Sequence, residues 1–338
     1  MRKIIPIGTI VKLAGLLVAT LLVMGALLLA GFGVAASVRQ TLPAGIGPGE
    51  GARHVTVGDI RLHYRQWGPD DGPPILLVHG TLAWAETWRD IAIPLAQAGY
   101  RVIAPDLPPF GYSQRPADGN YSRQAQAALL VGFAEAMRLD GFVLAGHSFG
   151  GGATLEAALA MRDDMRALLL LDVALGFETS RPAPLVGLLL RLPANRMAVA
   201  AASFANPLVT GIGLRSFVHD TKVVTEDRLA LYRAPLTVEG TASAIGDWMR
   251  TGLFADHSTA RSMSREILAG LDIPTLVIWG REDTVTPLAQ GKDIAGLLPD
   301  ARLVVLDGVN HIPHLERPEL VVEAIQAFLP PMGLRPGG

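Results

Sequence analysis

The sequence predicts an α/β fold with a mostly parallel sheet and helices on both faces. Short apolar runs typical of buried strands alternate with longer helical stretches on either side of a central interruption. The runs are continuously apolar, as expected for strands that are covered on both faces. The interruption, residues 177–256, has apolar clusters at helical spacing and no strand alternation, so we expect a helical insertion there.

The predicted elements follow in order along the chain. A hairpin is expected first, with strands at residues 54–57 and 60–67 joined by Gly58-Asp59. Later strands are predicted at residues 75–78, 142–145, 167–171, 274–280 and 301–306, and helices at 84–98, 122–137, 151–161, 262–271 and 318–328. The domain boundaries are therefore 1–44 for an N-terminal anchor and linker, 45–176 and 257–338 for the two parts of the core, and 177–256 for the insertion.

Composition excludes several classes of protein. The chain has 338 residues, a formal net charge of -2 and no block of lysine and arginine, so no nucleic-acid partner is expected. It has no cysteine, which rules out disulfides and a cysteine nucleophile but leaves the compartment open. No metal-ligand spacing and no dinucleotide fingerprint occurs, so we expect neither a metal nor a cofactor.

The N-terminus carries an uncharged apolar stretch, residues 13–36. As a helix it would be roughly 36 Å long, enough to cross a hydrocarbon core of about 30 Å. Arg2, Lys3 and Lys12 precede it and only Arg39 follows closely, which favours a cytoplasmic N-terminus and an extracytoplasmic domain.

A cleaved secretory signal is the alternative, with residues 34–36 (Val-Ala-Ala) as a small-residue cleavage site and a secreted product. The apolar stretch is longer than the usual signal region of about 7–15 residues, so a membrane anchor is favoured. Residues 41–52 are rich in glycine and proline and are predicted to be a flexible linker.

The most informative segment is residues 146–150, Gly-His-Ser-Phe-Gly. It lies between a predicted strand and a predicted helix, with Ser148 at the apex of the turn. The flanking glycines permit a sharp turn that exposes the serine hydroxyl, as in a nucleophile elbow.

An acid and a histidine follow in the order that such an elbow requires. Asp283 comes just after the predicted strand at residues 274–280, and His311 follows the strand at 301–306. At the carboxyl ends of parallel strands, Ser148, Asp283 and His311 would lie at one edge of the sheet.

With these motifs the chain resembles the α/β-hydrolase superfamily, in particular its serine hydrolases with a lid, over nearly everything after residue 50. Residues 79–81 (His-Gly-Thr) look like the family's oxyanion loop, and residues 100–113 look like its strand and loop before the nucleophile helix. His311 with Glu316 and Pro318 is similar to the family's histidine loop. One departure is Pro109, where the family usually has glycine.

The resemblance implies a role for each site residue. Ser148 would be the nucleophile, His311 the general base and Asp283 the group that orients and stabilises the imidazolium. The backbone N–H groups of Thr81 and Phe149 would form the oxyanion hole.

Three assignments have competitors in the sequence. Glu282 and Asp172, which ends the preceding strand, are alternatives to Asp283 as the acid. His314 is the alternative to His311, although the spacing to Glu316 matches the family at His311. We expect His314 to be a packed or solvated neighbour.

The sequence-level hypothesis is a serine hydrolase that cleaves a carboxylic ester of a small hydrophobic acyl substrate. The resemblance implies that the insertion is a helical lid, whose apolar side chains, Trp248 among them, are candidates to bind substrate. Carbon–carbon bond hydrolysis, acyl transfer and perhydrolysis use the same triad and stay open. Haloalkane dehalogenases and epoxide hydrolases are disfavoured, because their relatives carry aspartate at the position of Ser148. A non-catalytic membrane-tethered module is the alternative from another class, and the oligomeric state is open.

Overall fold

The computed structural model describes residues 7–49, 51–175 and 184–329. Its strands are β1 (Arg53–Val57), β2 (Ile60–Trp67), β3 (Pro74–Val78), β4 (Arg101–Pro105), β5 (Phe142–His147), β6 (Met165–Leu171), β7 (Thr275–Gly280) and β8 (Ala301–Leu306). They form one eight-stranded sheet in the order β1-β2-β4-β3-β5-β6-β7-β8. β2 pairs antiparallel with β1 and β4, and the other neighbouring pairs are parallel. The predicted hairpin and mostly parallel sheet are confirmed.

The helices lie between the strands and in the predicted insertion. In chain order they are α1 (Ile7–Arg39), α2 (Arg89–Gln97), α3 (Arg123–Ala136), α4 (Gly150–Ala160), α5 (Pro184–Leu189), α6 (Pro193–Ala202), α7 (Pro207–Ser216), α8 (Glu226–Arg233), α9 (Thr241–Trp248), α10 (Arg265–Ala269), α11 (Leu288–Leu297), α12 (Pro313–Glu316) and α13 (Pro318–Phe328).

Alternate residues of β3 pack on opposite faces of the sheet. Ile75 and Leu77 belong to the cluster formed with α2 and α13, and Leu76 and Val78 to the cluster formed with α3, α4 and α11. All four side chains are fully buried. Burying a side chain of this size contributes about 1.5–3 kcal/mol, which explains why a strand covered on both faces is continuously apolar.

Two predicted helices are shorter than expected. The predicted helix at 84–98 is divided into a 3-10 helix, Ala85–Trp88, and α2. The one at 262–271 is divided into a 3-10 turn, Arg261–Met263, and α10. The reason is visible at Ser264, whose extended backbone and side-chain acceptance from the Ile267 N–H start a new helix.

α1 is a long apolar helix with little cover. The part at 14–39 has a mean hydropathy of 2.4 in its 18-residue window, of which 6% is buried. Length and composition are sufficient to cross a membrane, and a signal sequence would have the same properties. Packing is visible at its carboxyl end: Ala36 is buried, and a Cβ at Gly33 would lie 3.2 Å from Met197 of α6.

The glycine- and proline-rich segment after α1 differs from the predicted flexible linker, because residues 41–49 are attached to the rest of the chain. Leu42 forms a parallel bridge with Val238 in the insertion. The Gly45 N–H donates to the Tyr112 carbonyl oxygen at 2.6 Å. The glycine and proline content of the segment predicted flexibility, but composition does not indicate backbone hydrogen bonds to distant parts of the chain.

The described part of the predicted insertion, residues 184–256, consists of helices joined by short turns and contains no strand of the sheet, and we call this part the helical insertion. Residues 177–183 of the prediction lie outside the described residues. The insertion contacts the loops at the carboxyl ends of the strands: the Phe217 carbonyl accepts from the His311 N–H at 3.0 Å, and the Leu231 carbonyl accepts from Trp84 Nε1 at 2.9 Å.

Candidate active site

Ser148 occupies the turn between β5 and α4. Its φ of +50° is a left-handed conformation that a residue with a side chain rarely adopts. Backbone hydrogen bonds hold this conformation, because the Ser148 N–H donates to Leu171 and its carbonyl accepts from Gly151 and Ala174. The strain is therefore maintained by β6 and α4 on either side, as expected at a functional turn.

The glycines of the elbow leave no room for a side chain. A Cβ at Gly146 would overlap Thr154, and a Cβ at Gly150 would overlap the His79 carbonyl oxygen. The first contact lets β5 approach α4, and the second lets α4 begin directly beneath the loop after β3.

Ser148, His311 and Asp283 form one continuous hydrogen-bonded chain. His311 Nε2 lies 2.7 Å from Ser148 Oγ, and His311 Nδ1 lies 2.9 Å from Asp283 Oδ2. All three residues are buried. With Nδ1 facing a carboxylate, the imidazole carries its proton there and presents a lone pair to the serine hydroxyl.

The Asp283 carboxylate is held by several donors. The N–H groups of Val285 and Thr286 donate to Oδ1 at 2.7 and 2.8 Å, and Thr286 Oγ1 donates to Oδ2 at 2.7 Å. Burial alone would raise the pKa of Asp283, but the hydrogen bonds and the charge of His311 outweigh it and lower the pKa to about 2. Asp283 is therefore an anion over the whole neutral range.

The two competing acids do not reach His311. Glu282 Oε2 accepts from the Val309 N–H at 3.1 Å. Asp172 is fully buried at the end of β6, and its Oδ1 accepts from the Gly280 N–H at 2.9 Å. Burial and the neighbouring Asp283 carboxylate raise the pKa of Asp172 well above its usual value, which favours its neutral form.

The loop that carries His311 is fastened at three points. Glu316 accepts from the Asn310 N–H at 2.9 Å, and the His311 N–H donates to Phe217. His147 Nε2 donates to the His311 carbonyl oxygen at 2.8 Å. Burial lowers the pKa of His147 to about 3, so this imidazole stays neutral.

His314 is a packed neighbour, as the sequence predicted. Its ring lies 4.2 Å from that of Trp88, and the side chain is buried. Burial holds the pKa of His314 well below its usual value.

The loop after β3 lies against Ser148. A Cβ at Gly80 would be 2.9 Å from the Ser148 Cβ. His79 fixes this loop, because its Nε2 accepts from the Leu107 N–H at 2.9 Å and its Nδ1 lies 2.9 Å from the Gly80 carbonyl oxygen. Within the described residues, neither the Thr81 N–H nor the Phe149 N–H donates to another protein group, so both amides are available to a ligand.

A small apolar cavity of about 100 Å³ opens beside Thr81. It is lined by residues from the loop after β3, the helical insertion and the residue after His311: Thr81, Leu82, Ser203, Phe204, Val209, Thr210, Gly213, Leu214, Phe217, Tyr232 and Ile312. A larger groove of about 640 Å³ runs between α2 and α13, but it is lined by neither the loop after β3 nor the residues next to His311, whereas the smaller cavity is lined by Thr81 and Ile312. We therefore assign the smaller cavity to the site.

Trp248, considered from the sequence as a substrate-binding residue, lies behind this cavity. It is fully buried, and its ring packs against Phe149 at 5.1 Å and Phe204 at 5.5 Å between centroids. Phe204 lines the cavity, so Trp248 supports the wall and does not form it.

Sequence reasoning missed Thr286, which donates to Asp283 and lies 3.3 Å from His311 Nδ1. A signal was present: an aspartate followed three residues later by threonine and then proline is typical of a turn in which the carboxylate accepts from its own loop. Among the described residues, no group of three or more histidine, aspartate or glutamate side chains could hold a metal ion.

A sequence model of the α/β hydrolase fold matches residues 73–318, most of the chain. The chain belongs to the α/β-hydrolase family. Among its relatives, this α/β hydrolase is 30% identical to the 2-hydroxymuconate semialdehyde hydrolase of Pseudomonas sp. (strain CF600), over 82% of this chain and 93% of the relative. It is 29% identical to haloalkane dehalogenase 2 of Mycobacterium tuberculosis (strain ATCC 25618 / H37Rv), over 78% of this chain and 90% of the relative.

Solved structures agree with the fold. The crystal structure of a putative lipase, Lip1, from Acinetobacter baumannii AYE matches with a TM-score of 0.65 and 25% identity, over 82% of this α/β hydrolase and 90% of the lipase chain. The relatives are hydrolases that differ in substrate. Family membership therefore supports an α/β-hydrolase enzyme, and the choice of bond rests on the side chains of the site.

Proposed function

We propose that this α/β hydrolase is a serine hydrolase that cleaves a carboxylic ester of a hydrophobic acyl group. The observation that carries the proposal is the unbroken contact from Ser148 Oγ through the His311 imidazole to the Asp283 carboxylate, at 2.7 and 2.9 Å. A serine hydroxyl in this arrangement can attack an acyl carbon, because its proton has an acceptor within hydrogen-bond distance.

The proposed reaction has two halves. As Ser148 Oγ bonds to the carbonyl carbon, His311 Nε2 takes the hydroxyl proton and then gives it to the leaving alkoxide, so an alcohol departs and an acyl-enzyme forms. Water, losing its proton to His311, then attacks the acyl carbon, and the proton returns to Ser148 as the acid leaves. Asp283 remains an anion and stabilises the imidazolium in both halves.

Each half forms a negative oxygen that needs donors already in place. The Thr81 and Phe149 amides are the proposed donors, since Phe149 follows Ser148, Thr81 follows Gly80, which lies against Ser148, and neither amide is used elsewhere in the described residues. Loss of one such donor typically costs about 2.7–4 kcal/mol of transition-state stabilisation.

The preference for a hydrophobic acyl group rests on the cavity. Its lining is dominated by apolar side chains. Leu82 comes from the loop after β3, and Leu214 and Phe217 come from the helical insertion. In an apolar cavity of about 100 Å³, each buried methylene of the substrate contributes about 0.8 kcal/mol. We propose that the helical insertion acts as the lid that completes this cavity.

The proposal includes a membrane location. The length, hydropathy and exposure of α1 support an anchor that crosses the membrane, with the catalytic domain outside the cytoplasm. A cleaved signal would give a secreted enzyme with the same site. Carbonate extraction of a membrane fraction tests the anchor, and full-length protein in the soluble phase would contradict it.

Carbon–carbon bond hydrolysis is the second candidate, favoured by the similarity to 2-hydroxymuconate semialdehyde hydrolase. Both reactions would use the same three side chains. The dehalogenase relative shares the fold, but Ser148 supplies a hydroxyl where the expected dehalogenase nucleophile is a carboxylate.

A fluorophosphonate probe tests the proposal on the full-length protein in detergent. We expect the native chain to be labelled and Ser148→Ala to be unlabelled, with p-nitrophenyl esters of increasing chain length cleaved by the native protein alone. A folded native chain that resists labelling would favour a non-catalytic module. Faster turnover of a vinylogous diketone than of any ester would favour carbon–carbon hydrolysis.

A further inference from the structure

We infer that the outer surface of α5, α6 and α7 inserts into the same lipid bilayer as α1, and that the acyl substrate enters the cavity from that bilayer. The inference deepens the proposed function and rests on it for the membrane anchor and for the site. Four observations carry it: exposed apolar side chains, the position of α1, the charge of the segment and the two faces of α7.

The most exposed apolar side chains outside α1 belong to one short segment of the chain. Leu188, Leu192, Leu208 and Ile212 are 58%, 60%, 77% and 71% exposed, and among the described residues outside α1 they are the most exposed large apolar side chains. We call these four residues the docking surface. Leu188 lies on α5, Leu192 directly precedes α6, and Leu208 and Ile212 lie one turn apart on α7. Several exposed apolar side chains on consecutive elements indicate an interaction surface, whereas single exposed ones are ordinary.

The position of α1 identifies what covers the docking surface. An open groove of about 710 Å³ runs between residues 26–38 of α1 and the helices α5 and α6. Those α1 residues cover about 18 Å of helix at about 1.5 Å per residue, and most of them belong to the stretch that would lie in the membrane. With α1 across a bilayer, α5 and α6 lie beside its last turns, at the depth of the lipid.

The charge of the segment fits a lipid surface. Residues 184–219 contain Arg191, Arg196 and Arg215 and no aspartate or glutamate, although the whole chain has a net charge of -2. Arg196 pairs with Asp247 and Arg215 with Glu226, at 2.6 and 3.7 Å. Arg191 is exposed and lies between Leu188 and Leu192, so it is the cation that this segment presents to anionic headgroups.

α7 presents one face to the outside and the opposite face to the cavity. Leu208 and Ile212, four residues apart, point outward, while Thr210 and Leu214 are buried and line the cavity. A single helix therefore separates the docking surface from the proposed acyl cavity. An acyl chain that leaves the bilayer reaches the site by passing along one helix of about 10 Å diameter, without crossing water.

Site-specific fluorescence tests the insertion directly, and the absence of cysteine in the chain simplifies it. Leu208→Cys is labelled with an environment-sensitive dye in the full-length protein reconstituted into phosphatidylcholine–phosphatidylglycerol vesicles. The matched control is Ile93→Cys on α2, an apolar position of the core domain that is 40% exposed. We expect lipid-borne spin labels to quench the dye at 208 and aqueous iodide to quench the dye at 93.

Two outcomes overturn the inference. Quenching of the dye at 208 by iodide alone would place the docking surface in water. Shielding from both quenchers would mean that protein, such as a second copy of the chain, covers it. Because this readout needs no turnover, it remains decisive if the proposed activity fails.

A second experiment tests the supply of substrate. Leu208→Asp with Ile212→Asp is compared with Ile93→Asp on p-nitrophenyl butyrate in water and on p-nitrophenyl palmitate dissolved in the vesicles. The docking variant is expected to keep the butyrate rate and to lose at least about tenfold on the palmitate, as follows from removing buried apolar contacts. Equal effects on the two esters would overturn the route from the bilayer. Failure of the native chain on both esters would refute the ester activity instead.

Discussion

The residue that precedes Ser148 holds the loop that carries His311. His147 Nε2 lies 2.8 Å from the His311 carbonyl oxygen, and because a carbonyl can only accept, the imidazole donates. The end of β5 therefore positions both the proposed nucleophile, Ser148, and the loop that carries the proposed base, His311. The 2.7 Å contact between Ser148 and His311 depends on this hydrogen bond as well as on the turn at Ser148.

The first prediction concerns this contact. His147→Phe keeps an aromatic ring beside Trp88 and removes the donor, so we expect kcat on a p-nitrophenyl ester to fall about tenfold, the scale of an unpaired buried acceptor. KM should change less, because the cavity is lined by other residues. His147→Gln, whose amide can donate, should recover part of kcat. Equal loss in both variants, or a loss only in KM, would refute the positioning role.

The second prediction tests whether the three side chains act as a unit. Ser148→Ala and His311→Ala should each lower kcat at least about a thousandfold, and the double variant should be little worse than either. Multiplicative losses would mean that the two residues act independently, contrary to their direct contact.

The third prediction separates the two buried aspartates. Asp283→Asn should lower kcat about a thousandfold or more, because the amide cannot stabilise the imidazolium. Asp172→Asn should stay within about tenfold, since a neutral Asp172 resembles an amide in charge and shape. A larger loss from Asp172→Asn would assign the acid to β6 and not to the loop after β7.

Much of the fold and site follows from the sequence because the signals are local. The continuous apolar runs predict buried parallel strands, and the glycines around Ser148 predict a strained turn. The order of the motifs then predicts which residues share an edge of the sheet, where Asp283 and His311 are found.

What the sequence could not provide depends on contacts between distant segments. The hydrogen bond from His147 to His311 joins residues separated by 164 positions, and the bridge from Leu42 to Val238 ties the predicted linker to the helical insertion. The cavity could not be predicted from the sequence either, because helical spacing does not show which face of α7 lines the cavity and which face is exposed. Trp248 is an example. Its large apolar side chain made it a candidate to bind substrate, but it is fully buried and supports the cavity wall from behind.

The fourth prediction is a dependence of stability on pH. An unfolded histidine takes up a proton as the pH falls through about 6.5, whereas burial lowers the pKa of folded His147 to about 3. Between these values the unfolded chain binds more protons. The free energy of unfolding is therefore not reduced by His147 above about pH 6.5. As the pH falls below this value, the free energy of unfolding decreases by up to about 1.4 kcal/mol per pH unit.

Replacing this histidine should make the curve of unfolding free energy against pH shallower. Between about pH 6 and about pH 4.5 the slope for His147→Phe should be smaller than that of the native chain by roughly 1 kcal/mol per unit. Denaturant unfolding in a non-ionic detergent measures both slopes. Parallel curves would show that His147 keeps an ordinary pKa in the folded protein.

The fifth prediction concerns the acyl cavity. Val209 lines it from α7, so Val209→Trp should fill much of its volume of about 100 Å³. Overpacking of this kind excludes the longer chains first, so kcat/KM for hexanoate should fall about tenfold relative to acetate, with acetate turnover retained. Ile212→Trp, on the exposed face of the same helix, is the matched control and should leave the ratio for these soluble esters unchanged. If both variants preserve the native preference, the acyl chain binds elsewhere, and the cavity beside Thr81 and Ile312 has no part in selecting the substrate.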